Sequence, residues 1–177
     1  MEEKEAIQLL KKHSTGKREL KIVLAHSRAV QKLALEIAGR INRAGKRKAD
    51  THFIRTAALL HDIGRFEHPP WKQAILHGVA GARILKKEGL PAAYQKVCMN
   101  HLGAGITKAD IRKQRLPLPL ADYVPRTIEE KIICYADRRI DGAKRVPIGN
   151  DIERLKRYGA AERLIRLHEE MQRLMKK

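Results

Sequence analysis

The stretch AALLHDIGR, residues 57–65, sets an apolar helical run directly against a histidine, an aspartate and a glycine, and its reading decides the fold. Phe53, Ala57 and Leu60 recur at three- and four-residue steps, which predicts a helix, and Asp50 is placed to act as its N-cap. Gly64 is expected to stop that helix, leaving His61 and Asp62 at its end. Neighbours on a regular helix diverge by about 100°, so these two side chains address one centre only where the helix frays or where two ions lie between them.

Outward from this stretch the same periodicity covers nearly the whole chain, and no run alternates with period two. Upstream, a short helix over 2–13 is broken by Ser14-Thr15-Gly16, and a second runs over 17–43. The stripe of the second helix, Leu20, Val23, His26, Val30, Leu33, Ile37 and Ile41, carries a histidine where spacing predicts a hydrophobe. Downstream, Pro69-Pro70 enforces a loop over 65–71. A helix over 73–88 then aligns His77, Gly81, Ile84 and Leu85, and Gly89 closes it. Gly78, Gly81 and Ala82 leave room for another helix to approach. After Pro91, Tyr94, Val97, Cys98 and His101 mark the inward face of a fifth helix.

Thr107 caps a short helix, and the proline-rich LPLPLADYVP that follows is expected to form a flap or lid bordering the site. Thr127 and Glu130 spell a capping box for a helix burying Ile133, Ala136, Asp137 and Ile140. The segment 151–177 is amphipathic and reads as a helical pair packed on the core or on a second subunit, as a homodimer would require. The expected fold is all-α: a single-domain helical bundle of about seven or eight helices, with its core over 17–142 and a C-terminal helical extension over 151–177.

At 177 residues the chain is long enough to bury roughly two-thirds of its unfolded surface without staples. Cys98 and Cys134 sit in apolar periodic segments without CxxC spacing, which reads as buried thiols in a reducing compartment. No stretch reaches the ~18 apolar residues of a membrane span, and the N-terminus is charged from its second residue, so a cytoplasmic protein is expected. The formal net charge of +18 favours anionic partners: phosphorylated small molecules such as nucleotides, or nucleic acid. Each individual run, such as Lys46-Arg47-Lys48, reads instead as a solvated helix face or end.

Four helical segments therefore place a histidine or aspartate on an apolar stripe, at His26, His77, His101 and Asp137, and His61-Asp62 joins them. Burying so many such groups is costly unless they pair or ligate metal. Imidazole and carboxylate together suit iron, manganese, cobalt, nickel or zinc. With two ions, Asp62 would give one oxygen to each, His26 and Asp137 completing one sphere and His77 and His101 the other. Ions about 3.5 to 4 Å apart share and acidify a hydroxide and clamp a phosphoryl group.

HSRAV at His26, LLHDIGR at His61-Asp62, HGVAGARIL at His77, NHLGAGI at His101 and YADRRID at Asp137 resemble, in order, the H…HD…H…H…D signature of the HD superfamily. The resemblance spans residues 20 to 142. HGVAGARIL and HLGAGI are similar to a group of archaeal HD-domain proteins and to bacterial HD enzymes that hydrolyse diadenosine tetraphosphate. The resemblance implies a helical phosphohydrolase using one or two divalent ions, with Asp62 activating the nucleophile. It leaves two rivals open: a di-iron oxygenase of the same ligand order, and a basic nucleic-acid-binding module or nuclease. Arg65, where relatives often carry lysine, is expected to hold phosphate by paired hydrogen bonds. His68 and one of Arg138 and Arg139 are further substrate-contact candidates, since adjacent helical residues cannot point the same way.

Overall fold

The computed structural model describes all of residues 1–177, and its central element is α2, Lys17–Ala44, 28 residues long. Val30, Leu33, Ile37 and Ile41 form one buried stripe along it, and Gly45, at φ 75, closes it in the left-handed conformation a glycine adopts without strain. Around it lie α1 (Glu3–His13), α3 (Thr51–Leu60), α4 (His77–Lys87), α5 (Ala92–Asn100), α6 (Lys108–Gln114), α7 (Ile128–Asp137), α8 (Ile148–Lys156) and α9 (Ala161–Met175). Nine helices form, and Tyr158-Gly159-Ala160, with Gly159 at φ 65, separates the C-terminal pair expected from the amphipathic segment. Leu59, Leu60, Ile63, Leu85, Ile133 and Tyr135 are wholly enclosed at the centre. Leu164 and Met171 carry α9 onto the same core, where Lys131 and Glu170 tie it to α7 at 2.8 Å.

Capping follows the sequence at the entries that position the site. The Asp50 side chain accepts the Phe53 N–H at the start of α3, and Thr107 and Asp110 form a reciprocal box at α6. At α7 only half of the expected box forms: Thr127 accepts the Glu130 N–H at 3.2 Å. The Glu130 carboxylate turns inward instead, to the Asn100 amide and the Arg126 N–H, because those buried donors would otherwise lack a partner.

Three further expectations are corrected. Helix α3 ends at Leu60, and Gly64 lies beyond it in a 3-10 turn, Ile63–Phe66, packed on α4. A Cβ there would overlap the His77 carbonyl and lie 2.5 Å from the Gly81 nitrogen, so glycine is required by proximity rather than as a stop signal. Helix α7 ends at Asp137, and Ile140 belongs to a short antiparallel hairpin, β1 (Ile140–Asp141) with β2 (Lys144–Arg145). Gly142, at φ 57, takes the first turn position, as primed hairpin turns favour. Residues 116–125 form no lid: Leu118 and Tyr123 pack with Ile111 in a small separate cluster, away from the cavity that borders the histidines.

Candidate metal centre

His61 and Asp62 sit where α3 has just ended. His61 keeps helical angles, whereas Asp62, at φ −106 and ψ 15, has left the helix, and this turns both adjacent side chains toward one point. His26 arrives from the middle of α2, His77 from the first turn of α4, His101 from just past α5 and Asp137 from the last turn of α7. All six expected ligands converge. His61, Asp62, His77, His101 and Asp137 are buried, and only His26 faces partly outward.

The two oxygens of Asp62 face different histidines. Oδ1 lies 3.1 Å from His77 Nε2 and 3.4 Å from His101 Nε2, while Oδ2 lies 3.7 Å from His26 Nε2 and 3.8 Å from His61 Nε2. Asp137 Oδ1 adds to the second set, at 3.0 Å from His26 Nε2 and 3.7 Å from His61 Nε2. His26, His61 and Asp137 offer three ligand atoms within 4.8 Å of one another, and so do His61, Asp62 and His101.

Each imidazole is oriented from behind by a backbone carbonyl. His26 Nδ1 bonds to Gly142 O at 2.8 Å, His61 Nδ1 to Ala58 O at 2.8 Å, His77 Nδ1 to Ala74 O at 2.5 Å and His101 Nδ1 to Cys98 O at 2.7 Å. A carbonyl only accepts, so all four Nδ1 atoms carry a proton and all four Nε2 atoms turn inward, where each can offer a lone pair once it is unprotonated. His77 Nε2 and His101 Nε2 stand 2.9 Å apart, an arrangement that repels unless a cation or proton lies between them. His61 Nε2 and Asp62 Oδ1 are fully enclosed without a hydrogen-bond partner. Orphaned polar atoms of this kind are expensive, and a bound divalent cation satisfies all of them at once. The donor set fits such an ion. The thiols stay out of it: burial pushes Cys98 up and Cys134 up to about 12, holding both protonated.

Electrostatics point the same way. Burial opposes charge on Asp62, but the surrounding imidazoles of His61, His77 and His101 outweigh it and hold the carboxyl well below its ordinary range. For Asp137, burial is outweighed by the Arg138 guanidinium and the His26 hydrogen bond, with the same result. Burial likewise opposes a proton on His26, yet the Asp137 hydrogen bond and the charges of Asp137 and Asp62 push it up to about 9. At His101 burial outweighs the nearby Asp62 carboxylate and lowers the imidazole to about 4.

The centre opens on a cavity of about 660 Å³, within the size range of small-molecule sites. Arg65 lines it: its Nε lies 3.3 Å from Asp62 Oδ1, and its two terminal nitrogens make no hydrogen bond to the protein. Arg138 also lines it but is committed to Asp137 and Asp151, and burial disfavouring its charge is outweighed by those carboxylates, which raise it further. Arg139 turns the other way, over the Tyr135 ring. His68 is outside the cavity lining, its Nδ1 enclosed without a partner. Two contributors escaped the sequence reading. The Gly142 carbonyl behind His26 is signalled only by the Asp141-Gly142 hairpin turn, and the buried Asp151 that braces Arg138 has no distinguishing local signal.

A bundle that converges four histidines and two aspartates on one enclosed point defines a class of helical metal-site proteins. The family model described as HD domain matches residues 23–140, and the chain belongs to that family. It is 38% identical over 159 residues to the uncharacterized protein MJ0778 of Methanocaldococcus jannaschii, covering 87% of this chain and 90% of that protein. It is also 38% identical over 149 residues to a tRNA (cytidine(56)-2'-O)-methyltransferase of Thermoplasma volcanium and 35% identical over 153 residues to one of Picrophilus torridus. The match covers 82% and 85% of this chain but 40% and 41% of those two proteins. Among solved structures, the HD domain of the L. monocytogenes phosphodiesterase PgpH in complex with cyclic-di-AMP superposes with a TM-score of 0.60. That match covers 97% of this chain and 92% of the other at 17% identity, a likeness of fold. No helix of the structure is long and apolar enough to cross a membrane.

Proposed function

We propose that this protein is a metal-dependent phosphohydrolase that cleaves a phosphoester or phosphoanhydride bond of a nucleotide-like substrate. One observation carries the reading: the two oxygens of Asp62 are directed at two separate groups of inward-facing Nε2 atoms, with Asp137 completing one of them. His26, His61, Asp62, His77, His101 and Asp137 would hold one or two divalent ions. When bound, such ions acidify a water molecule and neutralise charge on a phosphoryl group.

The chain's own groups account for the rest. Asp62 and Asp137, both strongly ionised, set a negative centre that charge-neutral ligands would not. Carbonyls behind the four Nδ1 atoms fix ring orientation, so the site is organised before substrate arrives. Arg65 lines the cavity with its terminal nitrogens unengaged, and a guanidinium so placed suits two oxygens of one phosphate. Arg138, engaged on both sides by carboxylates, serves instead to position Asp137.

A second reading within the same chemistry places the scissile phosphate in RNA. The net charge of +18 supports it, as does similarity to part of two proteins named as tRNA methyltransferases. One screen separates these readings: protein loaded with manganese, cobalt, nickel or zinc, offered dinucleoside polyphosphates, cyclic dinucleotides, mononucleotides and short RNA. Turnover with redox-inert zinc or magnesium alone would also set aside an oxygenase. Asp62→Ala is expected to reduce turnover of the best substrate at least about 100-fold and to lower the bound metal measured by elemental analysis, with helical circular dichroism retained. Full activity in that variant would overturn the assignment.

A further inference from the structure

Four large apolar side chains stand exposed on this protein, and two of them, Trp71 at 77% and Ile22 at 58%, line the cavity that opens from the histidine cluster. An indole left in water is ordinary when isolated. Here it is fixed. Lys72 N–H bonds back to Pro69 O at 2.9 Å, closing a turn with Pro70 and Trp71 at its two central positions. Pro69 and Pro70 line the same cavity, so the indole is carried on a stiff rim rather than a loose loop. Asp62, Arg65, His26 and Asp137 line the same cavity and give it a polar portion. The cavity thus combines buried charged groups suited to phosphate with solvent-facing aromatic and aliphatic side chains suited to a flat apolar ring.

We infer that Trp71, with Ile22, is a stacking platform for the nucleobase of a substrate whose phosphate lies toward Arg65 and the histidine cluster. The assignment rests on the phosphohydrolase reading for its phosphate end and adds what selects the rest of the molecule. Aromatic stacking takes any base, because every base offers a π face, so the platform confers preference for nucleotides over simple phosphates without choosing among bases. It serves a free nucleotide and the end of an RNA strand alike.

Trp71 is the sole tryptophan of the chain, so its emission reports this position alone. The full-length protein is titrated with adenosine 5′-thiomonophosphate, with a 5′-phosphorylated triribonucleotide, and with ribose 5-phosphate, which has the sugar and phosphate but no base. Saturable quenching by either base-containing ligand and none by ribose 5-phosphate is expected, and the tighter of the two names the source. Calorimetry with Trp71→Ala should show the affinity for the base-containing ligand falling roughly tenfold toward that for ribose 5-phosphate, with Trp71→Phe restoring most of it. Equal binding of all three ligands by the wild type, or an undiminished base preference in Trp71→Ala, would overturn the inference. Binding rather than turnover is read, so a protein that hydrolyses nothing yet prefers bases keeps the platform and loses the enzymatic reading. A hydrolase blind to the base does the reverse.

Discussion

At the scale of single residues, the centre is a contest between protons and metal. His26 is the telling case, since its folded pKa of about 9 stands above the ordinary 6.5 for histidine. A raised pKa contributes stability that is fully present below the unfolded value and is lost as pH rises through about 9. Asp62 and Asp137 act oppositely: their stability is present above the ordinary carboxylate pKa and lost only as pH falls through their depressed values. A metal ion at Nε2 must displace the His26 proton. Apparent affinity for zinc is therefore expected to climb about tenfold per pH unit between pH 7 and 9 and to level off above, with one proton released per ion. Calorimetry in buffers of differing ionisation enthalpy measures that proton. A flat profile through this range would mean that His26 does not ligate.

At the scale of elements, the site depends on how closely the turn after α3 meets α4. Gly64 makes this approach possible, and Gly78 does the same between α4 and α5, where a Cβ would lie 2.7 Å from the Cys98 carbonyl. Backbone atoms cannot move aside as a flexible side chain does. Gly64→Ala should cost about 3 kcal/mol or more and lower the melting temperature by roughly 10 °C. The control is Gly149→Ala in α8, where nothing lies within 4 Å and φ is not positive; it should be neutral or stabilising by up to about 1 kcal/mol. Thermal melts followed by circular dichroism test both. The same contact explains why the glycine of HDIG is easily misread as a helix stop: a glycine required by a neighbour over ten residues away resembles one required by its own dihedral angles. The hairpin after α7 has a similar lesson, because its turn glycine supplies the carbonyl behind His26.

At the scale of the whole molecule, an excess of 38 basic over 20 acidic residues surrounds a small anionic centre. Lysines and arginines distributed over helix surfaces raise the local concentration of polyanions without selecting among them. If RNA is engaged through six or more phosphates, its affinity should fall about 1,000-fold or more between 50 and 200 mM salt, as filter binding of a tRNA transcript would measure. A shallow salt profile would instead assign the charge to solvated helix faces. Chelation should leave the salt slope unchanged while abolishing turnover, since the slope reports surface cations and turnover reports the centre.

The helices and the histidines and aspartates that cluster between them were legible in the amino-acid order because both signals are local. Three- and four-residue spacing marks an apolar face, and His26, His77, His101 and Asp137 stand out as polar groups on such faces. Even the divergence of His61 and Asp62 was readable, since only a helix end lets neighbours share a centre. Packing alone decided which oxygen of Asp62 meets which imidazole, that residues 116–125 close on their own cluster, and that Trp71 rims the cavity in their place. Those outcomes join residues far apart in the chain, as His26 and Gly142 are by 116 positions. Periodicity carries information over a few turns of helix, whereas contacts across such distances are set by how nine helices fill one interior.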